Sequence, residues 1–223
     1  MSIKPRREGF APRDYLLFTL ATLGTALLCV CAGSVPVPPG DALRAVGSAL
    51  LGLAPAGEPA QTIILSLRLP RVLASGLVGA SLSLCGAAMQ GLLRNPLADG
   101  STLGVASGAS LGAVIAIAFG ITIPGLPQLG VMGMAMLTAF LSLVLILSLA
   151  WRMDASLSTN TIILVGVIFS MFASAVISLA VAFSGPRLRS VTFWTMGSLS
   201  TASYRDGLTL LVALAVCGAV LLF

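Results

Sequence analysis

Apolar residues in this chain come neither in strict alternation nor as one stripe of a helix, but in long unbroken runs. Six are legible, at about 15–35, 72–93, 102–123, 128–150, 161–183 and 207–223. Each is close to the ~20 residues that a helix rising ~1.5 Å per residue needs to cross a hydrocarbon core about 30 Å thick. The runs are parted by "VPVPPGD" (35–41), "RNPLADGS" (94–101), "PGLPQ" (124–128), "RMDASLSTN" (152–160) and "GPRLRS" (185–190). Every break holds Pro, Gly, Asn, Asp or Ser, which end helices or build turns. Barrel strands would alternate and be half as long. The pattern predicts an all-α polytopic membrane helix bundle with six spans, a short tail over 1–14 and a transmembrane domain over 15–223. The first run is longer than the apolar region of a signal peptide and no A-x-A site follows it, so it is read as a retained span.

Composition agrees with that class. Of 223 residues, 57% are hydrophobic and 9% charged, against roughly 25% charged in soluble domains. Lipid is therefore the main solvent. The net charge of +5 does not indicate nucleic acid, because the cations are scattered through the breaks without an aromatic-interleaved patch. Cys29, Cys31, Cys85 and Cys217 lie inside apolar runs, where cysteine acts as a small hydrophobe. Neither a disulfide framework nor a metal site is expected from them, and no cofactor is expected.

Lys4, Arg6, Arg7 and Arg13 crowd the tail, which predicts a cytoplasmic N-terminus. Threading six spans from there puts Arg94 and Arg152 inside and Arg44, Arg68, Arg71, Arg187, Arg189 and Arg205 outside. The cations then divide equally between the two sides, so the tail alone sets the orientation and the outer arginines need another explanation.

Small residues mark contact faces. Gly104, Gly108 and Gly112 recur every four residues in the third run; Gly76 and Ala80, then Ser83, Ala87 and Gly91, do so in the second. Such spacing lets helix backbones approach in a solvent that offers no hydrophobic drive for association. These are read as packing stripes rather than ligand sites.

Absences narrow the chemistry. With no histidine, a Ser-His-Asp triad and an H-E-x-x-H metal pair cannot form. Lys4 is the only lysine, so no G-x-x-x-x-G-K-[ST] phosphate loop exists in the chain. No Asp, Glu, Lys or Arg lies inside any of the six runs, which disfavours proton coupling at membrane depth, although sodium coupling through carbonyls stays open. A transporter of this composition is expected to draw energy from another subunit.

Two stretches repay a closer reading. In "LRLPRVLASG" (67–76), Arg68 and Arg71 flank Pro70, and a helical spacing of three puts both on one face. Near a helix N-terminus the macrodipole disfavours them by roughly 0.3–1 kcal/mol each. Their heads either snorkel to water or meet a partner's carboxylates. In "RNPLADGS", Pro96 disfavours helical geometry at Asn95 and so ends the second helix. Asp99 or Ser101 can then cap the third. The segment is either a tight helical hairpin with no further duty or a rigid cytoplasmic connector of Asn95, Pro96 and Asp99.

The ordered set "RLPR" (68–71), "GAAMQGLLRNPLAD" (86–99), "LGVASGA" (103–109) and "FWTMGSLS" (193–200) resembles the permease subunits of bacterial ABC importers for iron–siderophore complexes, haem and cobalamin. The resemblance covers essentially the whole chain. It implies a multi-pass protein of the bacterial inner membrane with a second permease subunit, as a homodimer or close heterodimer, and a translocation path lined by the fifth helix, here 161–183. It further implies cytoplasmic ATPase subunits and a periplasmic or lipid-anchored substrate-binding protein, with Arg68 and Arg71 as docking residues for the latter. Iron–siderophore is the first choice of cargo on family frequency alone, ahead of haem and cobalamin. Two departures accompany it. Gly100 stands where the family often has Pro, and Gly suits the same turn. The family usually has ten helices, so its ATPase-docking loop is expected to follow the sixth, and the polypeptide ending at Phe223 is not expected to drive import alone.

Other classes fit less well. "NPLA" is similar to the aquaporin N-P-A, but those channels use the motif twice and Asn95–Pro96 is the single N-P pair here. A passive channel or an ion-coupled carrier is the alternative to the ABC permease. An intramembrane enzyme would lack both histidine and a G-x-S-G serine. No catalytic residue is expected.

Overall fold

The computed structural model describes residues 9–33, 35–52, 59–121 and 127–222. Lys4, Arg6 and Arg7 of the tail, residues 122–126 at the end of the third run and in the break after it, and Phe223 lie outside the described residues. Among the described residues every regular element is helical: α1 Pro12–Cys31, α2 Pro39–Leu50, α3 Pro59–Thr62, a π-helical segment Ile63–Arg68, α4 Leu69–Leu93, α5 Val105–Phe119, α6 Pro127–Met153, α7 Thr159–Phe183, a 3₁₀ turn Gly185–Arg187, α8 Leu188–Met196 and α9 Tyr204–Leu222. This is the all-α polytopic bundle that the apolar runs predict. Among the described residues five stretches are long and apolar enough to cross a membrane: Pro12–Cys31, Ile63–Leu93, Gly130–Met153, Thr159–Phe183 and Tyr204–Leu221. The third run is also helical, but α5 has only 15 residues, about 22 Å at the usual rise.

Two differences from the sequence reading have local causes. Residues 102–104 continue the turn that begins at Asp99, so α5 starts later than its apolar run. Two breaks also hold short amphipathic helices. α2 follows "VPVP" at once, with Pro39 at its first turn, where a missing N–H costs nothing. α8 instead follows the 3₁₀ turn "GPR", which carries Pro186 at its own start.

The chain divides into two compact units, Met1–Gly79 with Leu199–Cys217, and Ala80–Ser198 with Gly218–Phe223. In the first, Val30, Val37, Ala42, Ala45 and Ile64 form the core, joining the end of α1 to α2 and the π-helical segment. Buried Gln61 donates to Ser48 Oγ at 3.1 Å across it. In the second, Leu93, Ala98, Leu103, Ile146, Ala150, Ile162 and Val165 pack together, beneath the two connectors 94–104 and 154–158.

Candidate functional site

The second unit is built on close backbone approach. A Cβ on Gly108 would lie 2.6 Å from Ser142 Cβ and 3.0 Å from Thr138 O; one on Gly112 would lie 2.6 Å from Met134 O. α5 therefore presses against α6 through two glycines, with Ser142 and Thr138 turning their hydroxyls back to Ala139 O (2.8 Å) and Met134 O (2.7 Å). Gly104 adopts φ +68° just before α5 and faces Ile146 and Phe169. Gly166 of α7, which the sequence reading passed over, meets the carbonyl of Thr102. The small residue at the centre of "LVGVI" was its only signal.

The 94–104 connector follows from its residue types in order. Arg94 takes φ +49° and Asn95 N donates to Gln90 O at 3.2 Å, which is the closure that ends a helix through one left-handed residue. Glycine usually fills that place; here it is an arginine, immediately before "NP". Asn95 Oδ1 accepts from Leu97 N at 3.0 Å. Ala98 is buried while Leu97 is 86% exposed. Asp99 does not cap α5, which has no side-chain cap. Its Oδ1 instead accepts from Ser101 Oγ (2.6 Å), Ser101 N (2.9 Å) and Thr102 N (3.0 Å), fixing the turn ahead of the helix. Those donors, the Ser101 hydroxyl first, hold the carboxyl below the ordinary carboxylate range.

The same construction recurs at 154–158. Asp154 Oδ1 accepts from Ser156 Oγ (2.6 Å) and Ser156 N (2.9 Å), and Oδ2 from Ser158 N (3.2 Å) and Thr161 Oγ1 (3.3 Å). The Ser156 hydroxyl leads the causes that hold this carboxyl well below its usual range. Thr159 Oγ1 donates to Leu93 O at 3.3 Å, tying the start of α7 to the end of α4. Asp154 was missed as an organiser although "D-x-S" occurs at both breaks (99–101 and 154–156).

In the first unit, Arg68 ends the π-helical segment. Its Nη1 donates to Val30 O (2.9 Å) and Cys31 O (3.0 Å), and Nη2 to Val35 O. Arg71 is exposed and, among the described residues, has no hydrogen-bond or ion-pair partner. A cleft of about 350 Å³ lies between the end of α1 and this turn, lined by residues that include Cys29, Gly33, Ile63, Leu67, Arg68 and Arg71. The two arginines thus share a cleft, but one is engaged and the other is not. In the i→i+5 register the donor to Leu65 O would be residue 70, a proline without an N–H. Tyr204 Oη, at the head of α9, donates to that carbonyl at 2.6 Å. Among the described residues no group of His, Cys, Asp or Glu could hold a metal ion.

Sequence and structure comparisons give these features a context. The model of the FecCD transport family matches residues 20–223. The chain is 44% identical over 138 residues to the uncharacterized ABC transporter permease protein YvrB of Bacillus subtilis, covering 62% of this chain and 39% of that protein. It is 36% identical to the cobalamin import system permease protein BtuC of Halobacterium salinarum, covering 90% and 52%. To the molybdate import system permease protein MolB of Haemophilus influenzae it is 35% identical, covering 73% and 47%. A solved structure described as an inward-facing conformation of a metal-chelate type ABC transporter superposes with a TM-score of 0.76 at 30% identity, covering 95% of this chain and 62% of that one. The chain spans about half the length of the curated relatives it matches. With the family model matched from the first apolar helix to the last residue, on a fold shared with a solved transporter, the chain belongs to the FecCD transport family.

Proposed function

We propose that the chain forms part of the permease subunit of an ABC importer that carries a metal chelate or a related complex across the bacterial inner membrane. The observation that carries this reading is the family match across residues 20–223. The chain itself adds physical support. The six apolar runs have no Asp, Glu, Lys or Arg in their interiors, which disfavours coupling to protons at membrane depth, and a separate ATPase is the fitting energy source. The chain is then a transport subunit rather than an enzyme. Its partners are cytoplasmic ATPase subunits, a periplasmic or lipid-anchored substrate-binding protein, a second permease subunit, most simply a copy of this chain, and membrane lipid. Iron–siderophore remains the first choice of cargo. The relatives named for cobalamin and molybdate make those complexes its competitors.

In this reading the tail is cytoplasmic, and the connectors holding Asn95, Pro96, Asp99 and Asp154 face the ATPase. The turn of Arg68 and Arg71 faces the binding protein. Arg71 offers the exposed guanidinium there, a fork suited to bidentate pairing with a carboxylate. The glycine stripe 104–108–112 keeps the body beneath the connectors rigid.

Uptake tests the proposal. Cells lacking the gene should lose accumulation of one radiolabelled cargo among ferric siderophore, cobalamin and molybdate, and the ATPase should co-purify with the tagged permease. Unchanged uptake of all three, with no ATPase retained, would reject it. Reporter fusions at Asp99 and Asp154 should report cytoplasm, and those at Gln128 and Gly185 the opposite side. The inverse pattern would reverse the orientation and exchange the roles of the two ends.

A further inference from the structure

Four C-terminal carbonyls of any helix lack an intrahelical donor, and at membrane depth an unsatisfied carbonyl is costly. Neither α1 nor α5 carries a basic residue in its last turn to serve them. Local amides meet part of the need, Val37 N at Cys31 O (3.2 Å) and Gly120 N at Ile117 O (3.2 Å) among them, and each end also receives an arginine from far along the chain. Arg68 reaches the carbonyls of Val30, Cys31 and Val35. Arg187 Nη1 donates to Ala118 O at 2.9 Å. Beyond each helix end stands a glycine whose missing side chain makes the room. A Cβ on Gly33 would lie 2.7 Å from Arg68 Nη2 and 3.0 Å from its Cζ; one on Gly120 would lie 2.7 Å from Arg187 Cζ. Arg68 belongs to the first unit and Arg187 to the second, so the same device is built twice.

We propose that Arg68 and Arg187 are positioning residues, guanidinium clamps on the C-terminal ends of α1 and α5, each seated in the space left by a glycine. The positive head is also favoured at the negative end of the helix dipole. Planarity and several fixed donors let one guanidinium bridge successive carbonyls, which an ammonium does less well. The arginines therefore sit in these breaks as internal ligands of backbone oxygen. Where the turn docks a partner, which rests on the function proposed above, the docking charge is Arg71.

Cys31 reports on the first clamp, because its own carbonyl is one of the acceptors. With Cys29, Cys85 and Cys217 replaced by Ala in the full transporter, its labelling by a membrane-impermeant maleimide is measured in native membranes. R68Q should raise the rate about five-fold, as expected when losing a charged hydrogen bond eases local opening. G33A should do the same while leaving the arginine in place, since its Cβ takes the seat. R71Q should leave the rate at the parent value. A parent-like rate in both R68Q and G33A, or an R71Q effect as large as theirs, overturns the clamp. If R68Q fails to insert, R68K keeps the charge but not the fork; an elevated rate supports the clamp and an unchanged one overturns it. The second clamp is read from an Ile121→Cys reporter, which should respond to R187Q and not to R189Q; the reverse order overturns it. Binding-protein docking separates the two arginines independently of labelling. The salt dependence of docking should fall for R71Q and stay for R68Q, and an equal fall for both overturns the assignment of Arg68. Absence of any docking would count against the proposed function and leave the labelling result standing.

Discussion

The bond from Tyr204 to Leu65 tests whether the π-helical segment is shaped by Pro70. Replacing Tyr204 with Phe removes one hydroxyl and leaves the ring in place. A neutral intramolecular hydrogen bond contributes about 0.5–1.5 kcal/mol net, and coupled pairs in membrane proteins average about 0.6 kcal/mol. Tyr204 is half-exposed, so water can partly replace it, and the expected loss is about 0.5–1 kcal/mol. If the hydroxyl serves a carbonyl that Pro70 leaves without a donor, the loss depends on the proline. Pro70→Ala restores an N–H that can reach Leu65 O in the same register. In that background Tyr204→Phe should cost at most about 0.3 kcal/mol, a coupling of roughly half a kcal/mol between residues far apart in sequence. Reversible unfolding in mixed micelles with rising denaturing detergent measures all four corners of the cycle. Equal cost of Tyr204→Phe with and without Pro70 would refute the reasoning, and the 2.6 Å contact would then be incidental.

Further outcomes follow from the packing and the connectors. Gly112→Ala should destabilise by about 1–3 kcal/mol through overpacking, because the new Cβ would stand 2.6 Å from Met134 O. Gly133→Ala, with nothing within 4 Å of its Cβ, should be neutral or stabilise by up to about 1 kcal/mol; the same unfolding titration compares them, and equal effects would contradict the observed contact. Arg94→Gly should stabilise by about 1 kcal/mol, since φ +49° strains any residue but glycine, and a loss of thermal stability would mean that the arginine side chain outweighs that strain. For Asp99 and Asp154 the folded carboxyl titrates below its unfolded value near 4. Their contribution is therefore fully present above about pH 4 and fades as pH falls through the lowered folded value. Amide exchange at Ser101, Thr102, Ser156 and Ser158, corrected for intrinsic rates, should be flat from pH 7 to about 5. In Asp154→Asn it should be faster at Ser156 and Ser158, and parent-like exchange there would remove Asp154 from its organising role.

What the sequence disclosed, and what it withheld, divides by the range of the interaction. Apolar runs and helix breakers act within a few residues, so the helices around 72–93, 128–150, 161–183 and 207–223 were legible, as was the end of α4 before Asn95–Pro96. The helices Pro39–Leu50 and Leu188–Met196 were not. Each begins at a break rich in proline or arginine, and their buried faces, such as Ala42, Ala45 and Val191, are too small to stand out as apolar runs. The glycines 108 and 112 carry a local spacing signal, but their partners Ser142 and Thr138 do not, because which helix a small-residue stripe meets is a tertiary matter. Asp99 was legible as a turn residue and misplaced as a cap, since a cap on α5 and a cap on the preceding turn call for the same residue types. The acceptors of Arg68 and Arg187 lie 33 to 69 positions away, beyond any periodicity argument. Charge alone could only set those arginines against the positive-inside bias and ask for a partner.

The two aspartate-centred connectors bear on how a force applied at one of them would travel. Each carboxylate accepts chiefly from hydroxyl and amide donors of its own loop, Asp99 through Oδ1 and Asp154 through both oxygens, the second of which also takes Thr161 Oγ1 from the first turn of α7, so each loop holds its own shape largely from within. They are nonetheless joined. Thr159 at the start of α7 donates to Leu93 at the end of α4, and buried Ala98 and Leu103 of the first connector share a core with Ile146, Ala150, Ile162 and Val165 of α6 and α7. Close-packed cores shift between discrete arrangements more readily than they deform. A push on exposed Leu97 or on the turn at Asp154 would therefore move the adjoining ends of α4, α6 and α7 as one body. α5 would follow, because a Cβ could not be fitted between it and α6 at Gly108 or Gly112. On the function proposed above, such stiffness is what a connector transmitting motion from the ATPase would need.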